Sequence, residues 1–360
     1  MGICASVRRV AGDASTPPPD AATQRRASAR PTRGTTMRRT MTMAAAAAAV
    51  ALALTGCGTT EAPEEEGAAS GDTVTVTDAR GVEVEVPANA ERVVALEWVA
   101  VEHVQTVGLE LAGVADVEGY EDWSGTGEPL EGDPVDVGTR GESSIDAIAE
   151  IAPDLIIGVQ GGTDEQVEQL EAIAPVVILQ AADASAPLDT MLSDLRLVGE
   201  ATGREDEAEA AIADFEAHLD ELETTVEDAG LADTPIAHLD GYENGGQVEI
   251  RTYEDGSLLA AAADRIGFAN ALTGEGDPQY GLGITDVEGL TDLPDDAQIV
   301  YMTVGDRDVF SQDLLSNAIY TGLVAVQEGH VHRLPDGIWL FGGVHSVSMY
   351  LDELVAAVQA

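Results

Sequence analysis

The 360-residue chain contains no lysine: all 17 of its basic residues are arginine, set against 66 acids for a formal charge of −49. A surface of that sign repels phosphate backbones and anionic headgroups, which excludes nucleic acid and the lipid surface itself as partners. Cysteine is nearly as scarce, with only Cys4 and Cys57. A disulfide framework is thereby excluded, and an exported domain relies on its apolar core. No apolar run reaches bilayer length; residues 44–54 form an apolar stretch of 11. Catalytic signatures are missing too. The chain has no Gly-x-Ser-x-Gly elbow, no Walker A sequence, no His-Glu-x-x-His, and no G-x-G-x-x-G loop after a strand. An enzyme reading has nothing positive to rest on.

What the chain does have is organised around residues 187–229. Apolar residues recur at Leu188, Met191, Leu192, Leu195 and Val198, then at Ala208, Ile212, Phe215, Leu219 and Leu222. That is the i, i+3, i+4 spacing of one helical face. Gly203 divides the run into two helices, and Pro187 and Gly230 close its ends. On either side short apolar strands precede helical stretches, so the reading is two α/β lobes, 73–186 and 230–360, joined by a helical spine with a cleft between them.

The front of the chain is not part of that fold. Met37-Arg38-Arg39 is a positive start, and the 11-residue apolar stretch ends at Leu54-Thr55-Gly56-Cys57. Residues 1–56 are therefore expected to be an export signal region, with Met37 as the true start. The ending resembles a bacterial lipobox, which implies cleavage before Cys57 and lipid attachment to its sulfur. Residues 57–72 are acidic and lack aromatics, an expected disordered tether spanning on the order of 20 Å. Eight arginines and two acids precede Cys57, so the chain from Cys57 onward keeps nine arginines against 64 acids, a formal charge of −55.

Within the lobes, residues 73–77 and 82–86 alternate with period two around a turn and predict a hairpin. Strands are expected at 92–96, 111–117, 155–157, 235–239, 248–253 and 331–334, and helices at 99–107, 257–266 and 346–358. Ser143 with Asp146, and Thr285 with Glu288, read as capping boxes. Phe, Trp and Tyr are only 4% of the chain, yet Trp98, Tyr120, Trp123, Tyr242, Tyr280, Trp339 and Phe341 fall at strand ends or in loops, where a ligand cleft needs them. Arg140, Arg251 and Arg307 lie near loops, scarce donors for acidic oxygens. His330, His332 and His345 are the residues a metal site would draw on, but the histidines do not converge by sequence.

Segments 91–123, 136–158, 249–259, 280–290 and 326–343 together resemble ferric hydroxamate-type siderophore-binding proteins of ABC importers. The resemblance runs from about Val74 to the C-terminus. It implies an α/β fold of two Rossmann-like lobes on a long rigid interdomain helix, with one iron chelate held between them. It implies chelate contacts at Trp98, Trp123, Arg140, Arg251, Tyr280, Trp339 and Phe341, lipid attachment at Cys57, and permease docking through Glu165 and Glu288, with Asp164 a near alternative. One departure is Gln160-Gly161-Gly162, where relatives often carry Tyr. The expected role is an extracytoplasmic, monomeric, lipid-anchored receptor on the outer face of the bacterial cytoplasmic membrane. It would deliver a ferric siderophore to an ABC permease served by a separate ATPase. No cofactor is expected, iron being bound only through the siderophore. With at most three arginines near the cleft, neutral, cationic or weakly anionic hydroxamate chelates are expected over trianionic tris-catecholates. The alternatives are a haem or cobalamin receptor on the same scaffold, or a metal-dependent extracytoplasmic enzyme.

Overall fold

The structure, a computed structural model, describes residues 72–360 apart from residues 126, 246 and 304–307. The expected signal region, Cys57, the expected tether through residue 71 and Arg307 lie outside the described residues. The predicted hairpin forms from β1 (Thr73–Thr77) and β2 (Glu83–Pro87), with Val76 and Val86 turned inward. The first lobe then follows as β3 (Val93–Ala95), α1 (Trp98–Thr106), β4 (Leu111–Val114), α2 (Val117–Trp123) and β5 (Val135–Asp136). It continues with the small ladder β6 (Gly138–Thr139) and β7 (Glu142–Ser143), α3 (Ile145–Ile151), β8 (Leu155–Val159), α4 (Asp164–Glu171) and β9 (Val176–Leu179). The strands pair in the order β5-β4-β3-β8-β9, all parallel. Strand order reverses between β3 and β8, and an open α/β sheet binds ligands in the crevice outside the strands' carboxyl ends at such a point.

The spine is two packed helices rather than one continuous interdomain helix: α5 (Pro187–Thr202) and α6 (Glu205–Ala229). Gly203 joins them in a left-handed conformation (φ 68°), where a side chain would also strike the Ala88 carbonyl. With 25 residues, α6 extends about 38 Å.

The second lobe comprises β10 (Pro235–Asn244), β11 (Gln247–Tyr253), α7 (Leu258–Arg265), β12 (Ala269–Asn270) and β13 (Leu282–Thr285). It ends with β14 (Gln298–Met302), α8 (Val324–Glu328), β15 (Val331–Arg333) and α9 (Val344–Gln359). Its sheet is mixed, in the order β13-β11-β10-β14-β15 with β12 beside the start of β10. β10, β14 and β15 are parallel; β11 alone runs the opposite way, antiparallel to both β10 and β13.

The period-two geometry of strands divides the core. In β3 and β8, Val93, Ala95, Leu155 and Ile157 face the spine, and Val94 and Ile156 face the lobe's other side. In β10 and β14, Ile236, Val300 and Met302 join the same spine-facing core, whereas Ala237, Leu239, Ile299 and Tyr301 close the far side. One apolar core thus runs from the first lobe through α5 and α6 into the second.

Local departures from expectation have identifiable causes. The strand expected over 111–117 stops at Val114 because Asp116 takes a left-handed conformation and its carboxylate accepts the Gly119 N–H, which starts α2. Tyr120 and Trp123 are therefore helical. The cap of α3 is Ser144, not Ser143, which is paired in β7. At the second expected capping box, Asp286 accepts the N–H groups of Glu288 and Gly289, while Thr285 ends β13. The strand expected over 235–239 runs on to Asn244. Gly241 lies in that extension because a Cβ there would sit 2.7 Å from Val309.

Candidate functional site

The chain leaves β3 at the switch point as Leu96-Glu97-Trp98. Glu97 caps α1, its Oε2 accepting the Val99 N–H at 3.1 Å. Its Oε1 accepts a hydrogen bond from Nη1 of Arg140, which lies in the turn between β6 and β7. The Arg140 guanidinium rests 3.7 Å from the centre of the Trp98 ring and 5.0 Å from that of Trp339. A planar, weakly hydrated cation stacked on indole is held in one orientation.

The opposite wall comes from the hairpin β10–β11. Asp240 and Arg251 are cross-strand partners, and Arg251 Nη1 donates to Asp240 Oδ2 at 3.0 Å. The buried Tyr253 hydroxyl donates to the same oxygen at 2.9 Å. Burial is the largest influence on the Asp240 carboxyl and pushes it up, against the opposing pull of Arg251 and Tyr253.

Between the walls lies a cavity of about 560 Å3, within the roughly 300–1,000 Å3 range of small-molecule sites. Trp123, Arg140, Arg251, Tyr280, Trp339 and Phe341 all line it. Trp98 does not reach it. This is a correction to its expected place on the cleft wall: Trp98 is 2% exposed, beneath Arg140, and its indole N–H donates to the Ala115 carbonyl. Trp123 is instead 36% exposed.

The aromatic residues form a connected set. Trp339 meets Trp98, Trp123 and Phe341 edge-on, with ring centres 4.6, 6.0 and 5.3 Å apart, and Phe341 meets Tyr280 at 5.5 Å. All three tryptophans of the chain belong to it. Burial, with a smaller contribution from Glu97, raises the Tyr280 hydroxyl above its ordinary value.

Tyr242, one of the aromatics expected at a cleft, lines the cavity too, as do Glu97, Asp240 and Met302, which the residue pattern does not single out. The two acids do carry a signal: they fall just past the strands expected at 92–96 and 235–239, where a cleft draws its residues. Gln160, at the departure from the relatives, turns elsewhere and donates to the Ala79 carbonyl and to Gln180. Glu165 is exposed in the first turn of α4, and Glu288 is exposed after β13. His332 pairs with Gln298, and His345 approaches the Gly127 carbonyl. Among the described residues no three His, Cys, Asp or Glu side chains are grouped to hold a metal ion. Among the same residues no helix is long and apolar enough to cross a membrane.

Residues 93–337 match a family model described as periplasmic binding protein. The probable siderophore-binding lipoprotein YfiY of Bacillus subtilis is 24% identical over 309 residues, covering 83% of this chain and 91% of that protein. The iron(3+)-hydroxamate-binding protein FhuD of Escherichia coli is 23% identical over 267 residues, covering 74% and 86%. Among solved structures, the Fe3+–Desferal-bound siderophore-binding protein FhuD of Vibrio cholerae superposes with a TM-score of 0.65 at 22% identity, covering 75% of this chain and 98% of that one. That likeness is one of fold.

Proposed function

The chain belongs to the periplasmic binding protein family, and on that premise we propose that it is an extracytoplasmic lipoprotein that captures a ferric siderophore of hydroxamate or citrate–hydroxamate type for an ABC import permease. The observation that carries the reading is the cavity itself. It opens at the carboxyl ends of both sheets, and aromatic faces and two arginines line it. A ferric hydroxamate presents apolar linkers and a ring of oxygen acceptors. Indole and phenol faces suit the first, and guanidinium N–H groups suit the second.

In this reading Arg140 donates to hydroxamate oxygens and Arg251 supports the opposite side. Trp123, Tyr280, Trp339 and Phe341 pack on the chelate, and Trp98 holds Arg140 from below. Iron is bound only through its chelator, and the protein performs no chemistry on it. Cys57 carries the lipid, consistent with relatives named as lipoproteins. Glu165 and Glu288 are the acids that meet basic residues of the permease.

The test is a titration of intrinsic fluorescence against a panel of ferric chelates. Because every tryptophan lies in the aromatic set at the cavity, saturable quenching by a ferric hydroxamate is the expected result. No response to any chelate in the panel contradicts the proposal. A porphyrin or corrin absorbance band in the purified protein would redirect it to those ligands.

A further inference from the structure

Both cavity arginines come with a carboxylate already attached. Arg140 is paired with Glu97 and Arg251 with Asp240, one pair on each wall. These acids are fixed independently of any ligand. Glu97 has one oxygen on Arg140 and the other on the first turn of α1. Asp240 is held by Arg251 and by the buried Tyr253 hydroxyl. Their side chains are only 20% and 12% exposed, so water screens them incompletely. Among the described lining residues these four carry the formal charge, and it sums to zero.

Two unpaired arginines would make the cavity an attractor of anions. Here the guanidinium N–H donors remain while the net positive charge is cancelled. A neutral chelate loses nothing by this, and a cationic one gains two nearby carboxylates. A polyanionic chelate must shed its hydration against those same carboxylates. The −49 charge of the whole chain is not the cause, since charges more than about 8 Å away are largely screened at physiological salt.

We propose that Glu97 and Asp240 are specificity-determining residues that set the net charge of the accepted ligand, admitting neutral and cationic ferric chelates and refusing polyanionic ones. The inference rests on the siderophore-receptor reading and assigns a function to two residues that reading leaves out.

The experiment titrates tryptophan quenching with three probes: cationic Fe3+–desferrioxamine B, a neutral ferric tris-hydroxamate and a trianionic ferric tris-catecholate. It uses the wild type, Glu97→Gln, Asp240→Asn and the double variant. The wild type is expected to bind the first two more tightly than the third. Each single substitution should shift the ratio of cationic to trianionic affinity toward the trianion by at least about tenfold, and the double variant further. Glutamine keeps an oxygen for the Val99 N–H. If Glu97→Gln nonetheless fails to fold, Asp240→Asn, which caps no helix, carries the test alone. An unchanged ratio with all affinities falling together would show that the acids merely position the arginines, and would overturn the inference while leaving the receptor reading intact. Tightest wild-type binding of the trianion overturns it as well. A wild type that binds none of the three probes overturns the receptor reading and this inference with it.

Discussion

The cleft and the seam behind it both bury carboxylates, and they stabilise them in opposite ways. In the cleft Glu97 and Asp240 each face an arginine. In the seam, where α1 meets the start of α9, Glu102 is 2% exposed and accepts from the Ser346 N–H at 2.8 Å and its hydroxyl at 2.9 Å. Nearby Glu128 accepts from Gln105, and burial together with the Glu102 charge pushes its carboxyl up to about 8. His103 supplies no cation, since burial holds it down to about 4. A chain with nine arginines after Cys57 places two of them at the cleft. The seam is left to a helix terminus, whose N–H groups favour an anion, and to protonation. Arginine pairing thus holds the acids of the cleft, whereas the seam relies on a helix terminus and on protonation, which makes it pH-dependent.

That contrast is sharpest in pH. The folded state holds the Glu128 proton up to about 8, whereas the unfolded chain releases it near the ordinary 4.5. Stability should therefore be unaffected below that lower value, fall as pH rises through the window between the two, and level off above it. Glu128→Gln should remove this dependence and raise stability at pH 8 by on the order of 3 kcal/mol, with no gain near pH 4. Thermal unfolding at both pH values checks it. Equal Tm gains at both would mean that Glu128 resembles the paired acids of the cleft.

The next largest effect distinguishes the two cleft walls. Arg140 is stacked on indole and fixed by a helix-capping acid, whereas Arg251 lies 5.9 Å from the half-exposed Tyr242 ring. Arg140→Ala should weaken hydroxamate binding by roughly 1.5–3 kcal/mol, the scale of hydrogen bonds to charged groups, and Arg140→Lys should recover only part of that. Arg251→Ala should cost about 1 kcal/mol. Calorimetric titration of the three variants gives the order, and a larger loss for Arg251→Ala reverses the assignment of the walls.

The smallest expected effect is in shape. One apolar core joins both lobes through α5 and α6, so closure on a ligand would have to break it. Scattering profiles with and without chelate should superimpose. A clear contraction would show that the lobes are hinged instead.

Much of this architecture is legible in the residues. Helical spacing from Leu188 to Leu222 announces the spine, and short β-branched runs such as Val93–Ala95 announce buried parallel strands. Other features depend on conformation that composition does not reveal. The helix holding Tyr120 and Trp123 begins where Asp116 turns left-handed, a state asparagine and aspartate adopt without announcing it. The cleft aromatics were readable as strand-end residues, but Trp98 shows the limit. Which side of the backbone a strand-end ring takes is set by packing, here against Trp339 and Tyr120. The pairing of Glu97 with Arg140 spans 43 positions and is invisible before the lobe is assembled. Asp240 and Arg251 are only 11 apart, and a hairpin drawn with β10 at its full length would have set them face to face.

The most direct test of the account is the position of the iron. Crystals grown with Fe3+–desferrioxamine B and measured at the iron absorption edge should show one anomalous peak inside the cavity. Arg140 should lie within hydrogen-bond reach of the chelate oxygens, and no protein atom should ligate the metal. A peak outside the cavity, or iron held directly by protein side chains, would contradict the account.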